Sequence, residues 1–481
     1  MLREIPGITA RLLRFAVLAA FLAEGIAALV FILNASSQHV SIPLAILGAM
    51  LIFAAIAIAA FRIRPWAKTG QIASSPRVWA VPVAILSGLI LRILWVAAVP
   101  PVQSSDYVRY LQAARNLLAT HTYSEFLMGH SFRAFTPPGL PFLLAAGMRL
   151  FGDHSWMPAV LNCVLYVFSA ILIAAIARRL AGESVAIFAT VLFAIWPSSI
   201  GLIGLAASEP LFVLLFLLAC FFLFLPEQST WGWSVLGGVA AGFATLTRPT
   251  ALLLPALWAV AALIYGPGSR RWRNLIIATS LLVVTVTPWT IRNYRLLGAF
   301  VPVSTNGGDV FYRANNPLAT GTWRAKGERD LSPYLGDEVQ WNKTGFAWGK
   351  EWIATHPLGF LKLALWKQYI FLGSDETGIY WSVERPYAQW RVLDLAGKIL
   401  SFLWWLTLWV LILFAVVQQR RVILQVPGLT CLLIPFLYLI GIHSIFESQD
   451  RYHIPAIPFL IVAAALVSGS RERATAREEK D

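Results

Sequence analysis

Long apolar runs separated by short basic turns recur along the whole chain, and this alternation restricts what it can fold into. A helix needs roughly 20 apolar residues to cross a bilayer, and in lipid its backbone polar groups must be satisfied within the helix. Hydrophobic residues fill 58% of the 481 positions and charged ones 13%, about half the charged share of a typical soluble protein. A large soluble core could not use so much apolar surface. The sequence therefore predicts an all-α polytopic membrane protein. It should have about 12 transmembrane helices and two long extracytoplasmic loops carrying amphipathic helices.

The expected spans are 11–33, 41–61, 78–99, 156–177, 184–203, 209–225, 233–248, 250–265, 275–293, 395–417, 423–442 and 453–468. Shorter apolar stretches near 138–151 and 357–372 read as re-entrant or interfacial segments. Basic clusters follow a pattern: Arg62, Arg64, Lys68 and Arg77; Arg178 and Arg179; Arg270, Arg271 and Arg273; Arg420 and Arg421; Arg471 and Arg473. With that span count and both termini inside, every cluster is cytoplasmic. Residues 100–155 and 294–394 are then left outside. The expected division is a front hairpin with its cytoplasmic loop (1–77), a membrane core (78–468) and a charged cytoplasmic tail (469–481).

The net charge of +14 sits in these short loops, which argues against a nucleic-acid partner. Cys163, Cys220 and Cys431 lie inside apolar runs without metal-ligand spacing and read as small buried hydrophobes. Arg11 and Arg14 precede the first run as in a signal peptide. That run is too long and lacks a clear cleavage site, so it is expected to be retained. No internal repeat suggests two transporter halves.

Polar residues at the outer ends of the spans are the candidates for chemistry. Asp106 opens an amphipathic helix in which Tyr107, Tyr110, Leu111 and Ala114 recur at helical spacing; it also fits a helix-start carboxylate with Ser104 or Ser105 as cap. Arg133 precedes the rigid Pro137-Pro138 turn, as a phosphate ligand or a snorkelling arginine. Ser208-Glu209-Pro210 starts a span, so Glu209 is either a helix-dipole partner or a functional carboxylate at the membrane rim. Arg248, Arg292 and Arg295 put positive charge on the outer side, against the usual bias. They anchor with Trp289 and Tyr294, or they hold an anion through their fork geometry. Asn306, Asn315 and Asn316 are turn residues that can also bond a sugar. The last outer turn, Phe446 to Pro455, is unusually charged and aromatic. His453 within it lacks a second histidine at ligand spacing.

In order and placement these stretches resemble the GT-C superfamily of membrane glycosyltransferases, in the bacterial branch related to protein O-mannosyltransferases and lipid A aminoarabinose transferases. The resemblance rests on Asp106 in the first outer loop, Thr136-Pro137-Pro138-Gly139 with Leu150-Phe151-Gly152, and Ser208-Glu209-Pro210-Leu211. It rests also on Thr247-Arg248-Pro249, Pro288-Trp289-Thr290-Ile291-Arg292-Asn293-Tyr294, Asn315-Asn316-Pro317 with Gly321, and Asp450-Arg451-Tyr452. It covers roughly 78–468. Some relatives carry lysine where this chain has Thr136.

The resemblance implies a glycosyltransferase that moves a sugar from a polyprenyl-phosphate donor to a glycan, lipid or protein hydroxyl, at the outer face of a bacterial inner membrane. Asp106 would be the general base of an inverting displacement, with Glu209 orienting the acceptor. Arg133, Arg248, Arg292 and Arg451 would bind the donor phosphate, and Tyr107, Asn306, Asn315, Asn316 and Tyr452 would line the substrate site. Membrane lipid is a further partner. The scheme requires no cofactor, and the sequence leaves a divalent metal open. The alternative reading is a transporter or lipid flippase, which would place polar residues or broken helices near the bilayer midplane.

Overall fold

The computed structural model describes residues 5–36, 79–127, 129–225, 230–266, 268–323 and 329–469. The expected 41–61 span, the basic loop after it and the charged tail beyond 469 lie outside the described residues. Eleven of the expected spans fall on residues that are described, and each meets helix.

The helices are α1 (Ile5–Ser36), α2 (Ala80–Ala98), α3 (Asp106–Thr120), α4 (Gly139–Phe151), α5 (Met157–Ala181) and α6 (Glu183–Ala194). They continue with α7 (Ser208–Phe221), α8 (Thr230–Thr247), α9 (Leu254–Tyr265), α10 (Ser269–Leu297), α11 (Gly307–Ala314) and α12 (Glu338–Thr355). The last four are α13 (Pro357–Gly373), α14 (Arg391–Gln425), α15 (Ile434–Ile445) and α16 (Ile457–Ala465). One hairpin, β1 (Glu125–Leu127) with β2 (His130–Phe132), pairs antiparallel with Glu125 opposite Phe132.

Among the described residues, 7 helices are long and apolar enough to cross a membrane, or up to 8 counting one bent pair. The chain is therefore a multi-pass membrane protein. The other expected spans are shorter or interrupted. Glu183–Ala194 and Pro197–Gly204 bend by 50° at a break, where Pro197 lacks the N–H that would continue the helix. Ser208–Phe224 and Pro249–Tyr265 are short apolar helices. Close packing follows from small residues: Cβ atoms on Gly238 and Gly242 of α8 would collide with Ala278 and Thr285 of α10, so glycine lets these helices touch at the backbone.

One end of the bundle gathers arginines. Arg14 bonds the Leu424 carbonyl at 2.9 Å, Arg179 bonds that of Phe224 at 3.2 Å, and Arg271 lies 3.5 Å from the Tyr265 ring centre. The opposite end carries α3, the hairpin, α11 and α12. It is the outer end in the orientation that the charge bias predicts.

α2 carries a charge that the sequence reading passed over inside an apolar run. Arg92 is fully buried and donates to the carbonyls of Gly88 and Ala194 at 3.0 Å and to Ser199 Oγ at 2.9 Å. Its guanidinium stacks 3.7 Å from the Tyr166 ring centre. The bend after Ala194 leaves helix-end carbonyls without intrahelical donors, and a cation satisfies them.

Candidate active site at the outer end of the bundle

The site begins at Asp106. Ser105 precedes it with φ of 54° and makes no side-chain cap bond, so the helix-cap reading of Ser105 fails. The Asp106 carboxylate is instead ion-paired with Arg109, one helical turn on, and lies 3.6 Å from Arg451. Burial raises the Asp106 carboxyl, but Arg451, Arg109 and Arg248 together outweigh it and hold it below its ordinary value. Arg109 also lies 5.7 Å from the Phe135 ring centre, beside the double-proline turn.

A second pair lies beside the first. Glu209, 1% exposed, is ion-paired with Arg248, which also donates to Ser208 Oγ at 3.0 Å. The Arg248 guanidinium is 5.7 Å from the Tyr452 ring centre. Tyr452 donates to Glu447 at 2.6 Å and stacks on His443 at 4.4 Å. Glu447 faces Arg313 at 3.4 Å, and Arg313 pairs with Asp309 at 3.1 Å. Four arginines and four carboxylates thus alternate around one site. Glu447 lies in the charged, aromatic last outer turn, while Arg109, Asp309 and Arg313 are not among the sequence candidates, although Asp106–Arg109 and Asp309–Arg313 have the i,i+3 and i,i+4 spacing of neighbours on one helix face.

Tyr107 is 2% exposed, its ring edge on Trp381 at 5.3 Å. Its hydroxyl is buried without a hydrogen-bond partner among the described residues, with Glu209 and Arg451 close enough to act on it electrostatically. Burial and the neighbouring carboxylates push Tyr110 on the same helix up to about 12, so both phenols are neutral donors.

The remaining candidates are placed differently. The Arg292 guanidinium donates to the Arg133 carbonyl at 2.7 Å and the Tyr123 carbonyl at 2.9 Å, and lies 4.3 Å from the Trp289 ring centre. It braces the proline-turn loop, and its partners are distinct from the Asp106 pairs. Arg133 has an exposed side chain, while its backbone N–H donates to Glu338. Asn306 precedes α11 and accepts from Ser304 at 2.8 Å. Asn315 and Asn316 are buried. Asn315 bonds the Phe311 and Ile445 carbonyls at 2.9 Å and accepts from Lys367 at 3.0 Å, and Asn316 closes its own turn onto Tyr312 and Leu318. Both carboxamides are thus occupied by the protein. Among the described residues, no group of three or more His, Cys, Asp and Glu side chains is arranged to hold a metal ion.

Residues 136–291 match the family described as dolichyl-phosphate-mannose-protein mannosyltransferase, a stretch that contains Glu209 and Arg248 but neither Asp106 nor Arg451. The oligosaccharyltransferase of Archaeoglobus fulgidus, in the apo form, superposes with a TM-score of 0.51 at 12% identity, covering 82% of this chain and 50% of that one. The chain thus shares the fold of this archaeal membrane enzyme over the superposed part. A second structure, the archaeal oligosaccharyltransferase AglB from Archaeoglobus fulgidus with an inhibitory peptide and a dolichol-phosphate, gives 0.50 at 12% identity, over 81% of this chain and 50% of that one. This chain therefore spans about half the length of the archaeal enzymes. ArnT from Cupriavidus metallidurans bound to undecaprenyl phosphate aligns at 13% identity over 84% of this chain and 80% of that one, with a TM-score of 0.44. No curated protein sequence matches the chain. In this fold Asp106 and Arg451, 345 positions apart, come together.

Proposed function

We propose that this chain transfers a sugar from a polyprenyl-phosphate donor to an acceptor hydroxyl at the outer face of a bacterial inner membrane. The observation that carries the reading is the Asp106 carboxylate held between Arg109 and Arg451, next to the Glu209–Arg248 pair, at the rim of a membrane bundle. The family match over 136–291 and the shared fold support it.

In this reading the lipid tail stays in the bilayer and the donor phosphate meets the arginines. The acceptor oxygen attacks the anomeric carbon as the bond from that carbon to the phosphate oxygen breaks. Asp106 takes the acceptor proton, and a polyprenyl phosphate monoester leaves with the bonding pair. The attack inverts the anomeric centre. Arginines fixed in a water-poor rim stabilise the charge that develops on the leaving oxygen. Glu209, held by Arg248, and the unsatisfied Tyr107 hydroxyl orient the sugar or the acceptor. A donor phosphate that shares Arg451 and Arg109 with Asp106 lessens their hold on the carboxylate, so donor binding strengthens the base. The scheme requires no cofactor and leaves a divalent metal open.

Asp106→Asn tests the reading. It keeps size and shape but cannot accept a proton at neutral pH. With donor at saturation, single-turnover transfer of a polyprenyl-phosphate sugar should fall roughly 10²-fold or more, while donor binding is retained. Near wild-type turnover would make Asp106 a structural partner of the arginines and remove it as the base.

A further inference from the structure

Two side chains bracket Arg451 and Tyr452, and both grip one short segment. Asp450 accepts from the Glu376 backbone N–H at 3.2 Å and from the Thr377 hydroxyl at 2.6 Å. His453 places Nε2 3.2 Å from Asp375 Oδ1 and Nδ1 2.5 Å from the Phe371 carbonyl. The second Asp375 oxygen accepts from Trp196 Nε1 at 2.6 Å. His453, Asp375 and Trp196 are each no more than 1% exposed. The His453 ring stacks on Trp405 at 4.5 Å. Both its nitrogens are engaged, which leaves neither for a metal.

The contact can be read as a proton count. A carbonyl only accepts, so Nδ1 carries a hydrogen. The Nε2 contact with a carboxyl oxygen then needs one shared proton, on the ring or on the carboxyl, and either location gives the same clamp. A buried carboxyl held at both oxygens is costly to displace.

The segment that is gripped is itself seated on the broken helix. Gly378 N donates to Ser198 Oγ at 3.0 Å. A Cβ on Gly378 would run into the Ser198 backbone, and one on Gly201 into the Gly378 backbone, so the two strands of chain touch main chain to main chain. Arg92 pins the same break from the other side.

We infer that Asp375 and His453 are positioning residues that hold Arg451 against Asp106, using the broken helix as their fixed seat. The geometric part stands on its own; the kinetic part rests on the proposed transfer.

The test has two arms. In a chain whose three cysteines are replaced by alanine, Arg451→Cys is modified with a charged methanethiosulfonate. Adding Asp375→Ala should raise the labelling rate several-fold, and Asp375→Asn should not. Asparagine can accept from Trp196 with its oxygen and donate to a neutral His453 with its amide. In the second arm, Asp375→Ala and Arg451→Ala each lower transfer, and the double variant falls no further than the worse single, because one acts through the other. If Asp375→Ala does not fold, His453→Phe, which keeps a ring on Trp405 but breaks both polar contacts, carries the same comparisons. Equal labelling rates across the Asp375 series, or additive losses, overturn the inference. A parent that transfers no sugar overturns the proposed function instead, and the labelling arm still decides the positioning role.

Discussion

The carboxyl of Asp106 is under two opposed influences. Burial pushes it up, and three arginines push it down further. With the folded value depressed, the ion pairs contribute stability above the ordinary carboxylate range, and that contribution is lost as pH falls through the lowered value. The acid limb of kcat/KM, which reports the free protein, should accordingly lie below the ordinary aspartate range. Arg109→Ala removes the direct partner and should move that limb upward. A pH profile with a lipid-linked donor measures the shift, and an unmoved limb would detach Asp106 from proton transfer. Asp106, Glu209, Arg248 and Arg451 were legible in the sequence because a charge beside an apolar span is expensive and invites a reason. Asp309 and Arg313 were not. Their meaning depends on α11 meeting the turn before α16, a contact between residues more than 130 positions apart that no local pattern encodes.

Between 133 and 137 the loop that leads into α4 makes one backbone bond, from Thr305 N–H to the Ala134 carbonyl at 2.8 Å, and side chains supply the rest. Glu338 accepts from the backbone N–H of Arg133 at 2.9 Å and of Ala134 at 3.1 Å, and from the Thr305 hydroxyl at 2.8 Å. Glu125 accepts from Thr136 N at 2.6 Å, and the Tyr123 hydroxyl donates to the Thr136 carbonyl at 3.0 Å. A buried loop needs such partners, because unpaired backbone groups are costly. Both Glu338 oxygens face donors, so Glu338→Gln turns an amide against an N–H and should cost about 1–3 kcal/mol. Arg133→Ala, at an exposed side chain, should leave stability nearly unchanged. Thermal unfolding of the two variants in detergent makes the comparison, and equal midpoints would contradict it. The sequence showed the proline turn but not this support, because Glu338 lies some 200 residues from the loop it holds. It also showed apolar runs where the helices form, yet not the bend after Ala194, since Pro197 is equally at home in the first turn of a new helix.

At the scale of the whole molecule, the two ends of the bundle differ in chemistry. One end has arginines bonded to helix-end carbonyls, the other arginines bonded to carboxylates. The alternation of apolar runs and basic turns predicts which end is cytoplasmic, since the sequence expects every basic cluster on one side. Single cysteines at exposed Ser332 and Arg420 test the assignment in sealed vesicles. An impermeant reagent should reach position 332 from outside and position 420 only from inside, and the reverse pattern would invert the protein.

The pairing of every arginine in the site with a carboxylate has a consequence for what can enter. Under the proposed function, a dissolved phosphate ester would have to compete with an aspartate or glutamate already beside each arginine. At the low concentrations of free solution that exchange is a poor bargain. A phosphate moored to the bilayer by its own tail is confined to the plane of the rim, where its effective concentration is far higher. Under the proposed function, the self-neutralised site would act as a filter for tethered ligands, deaf to the soluble anions around it and answering to those the membrane delivers.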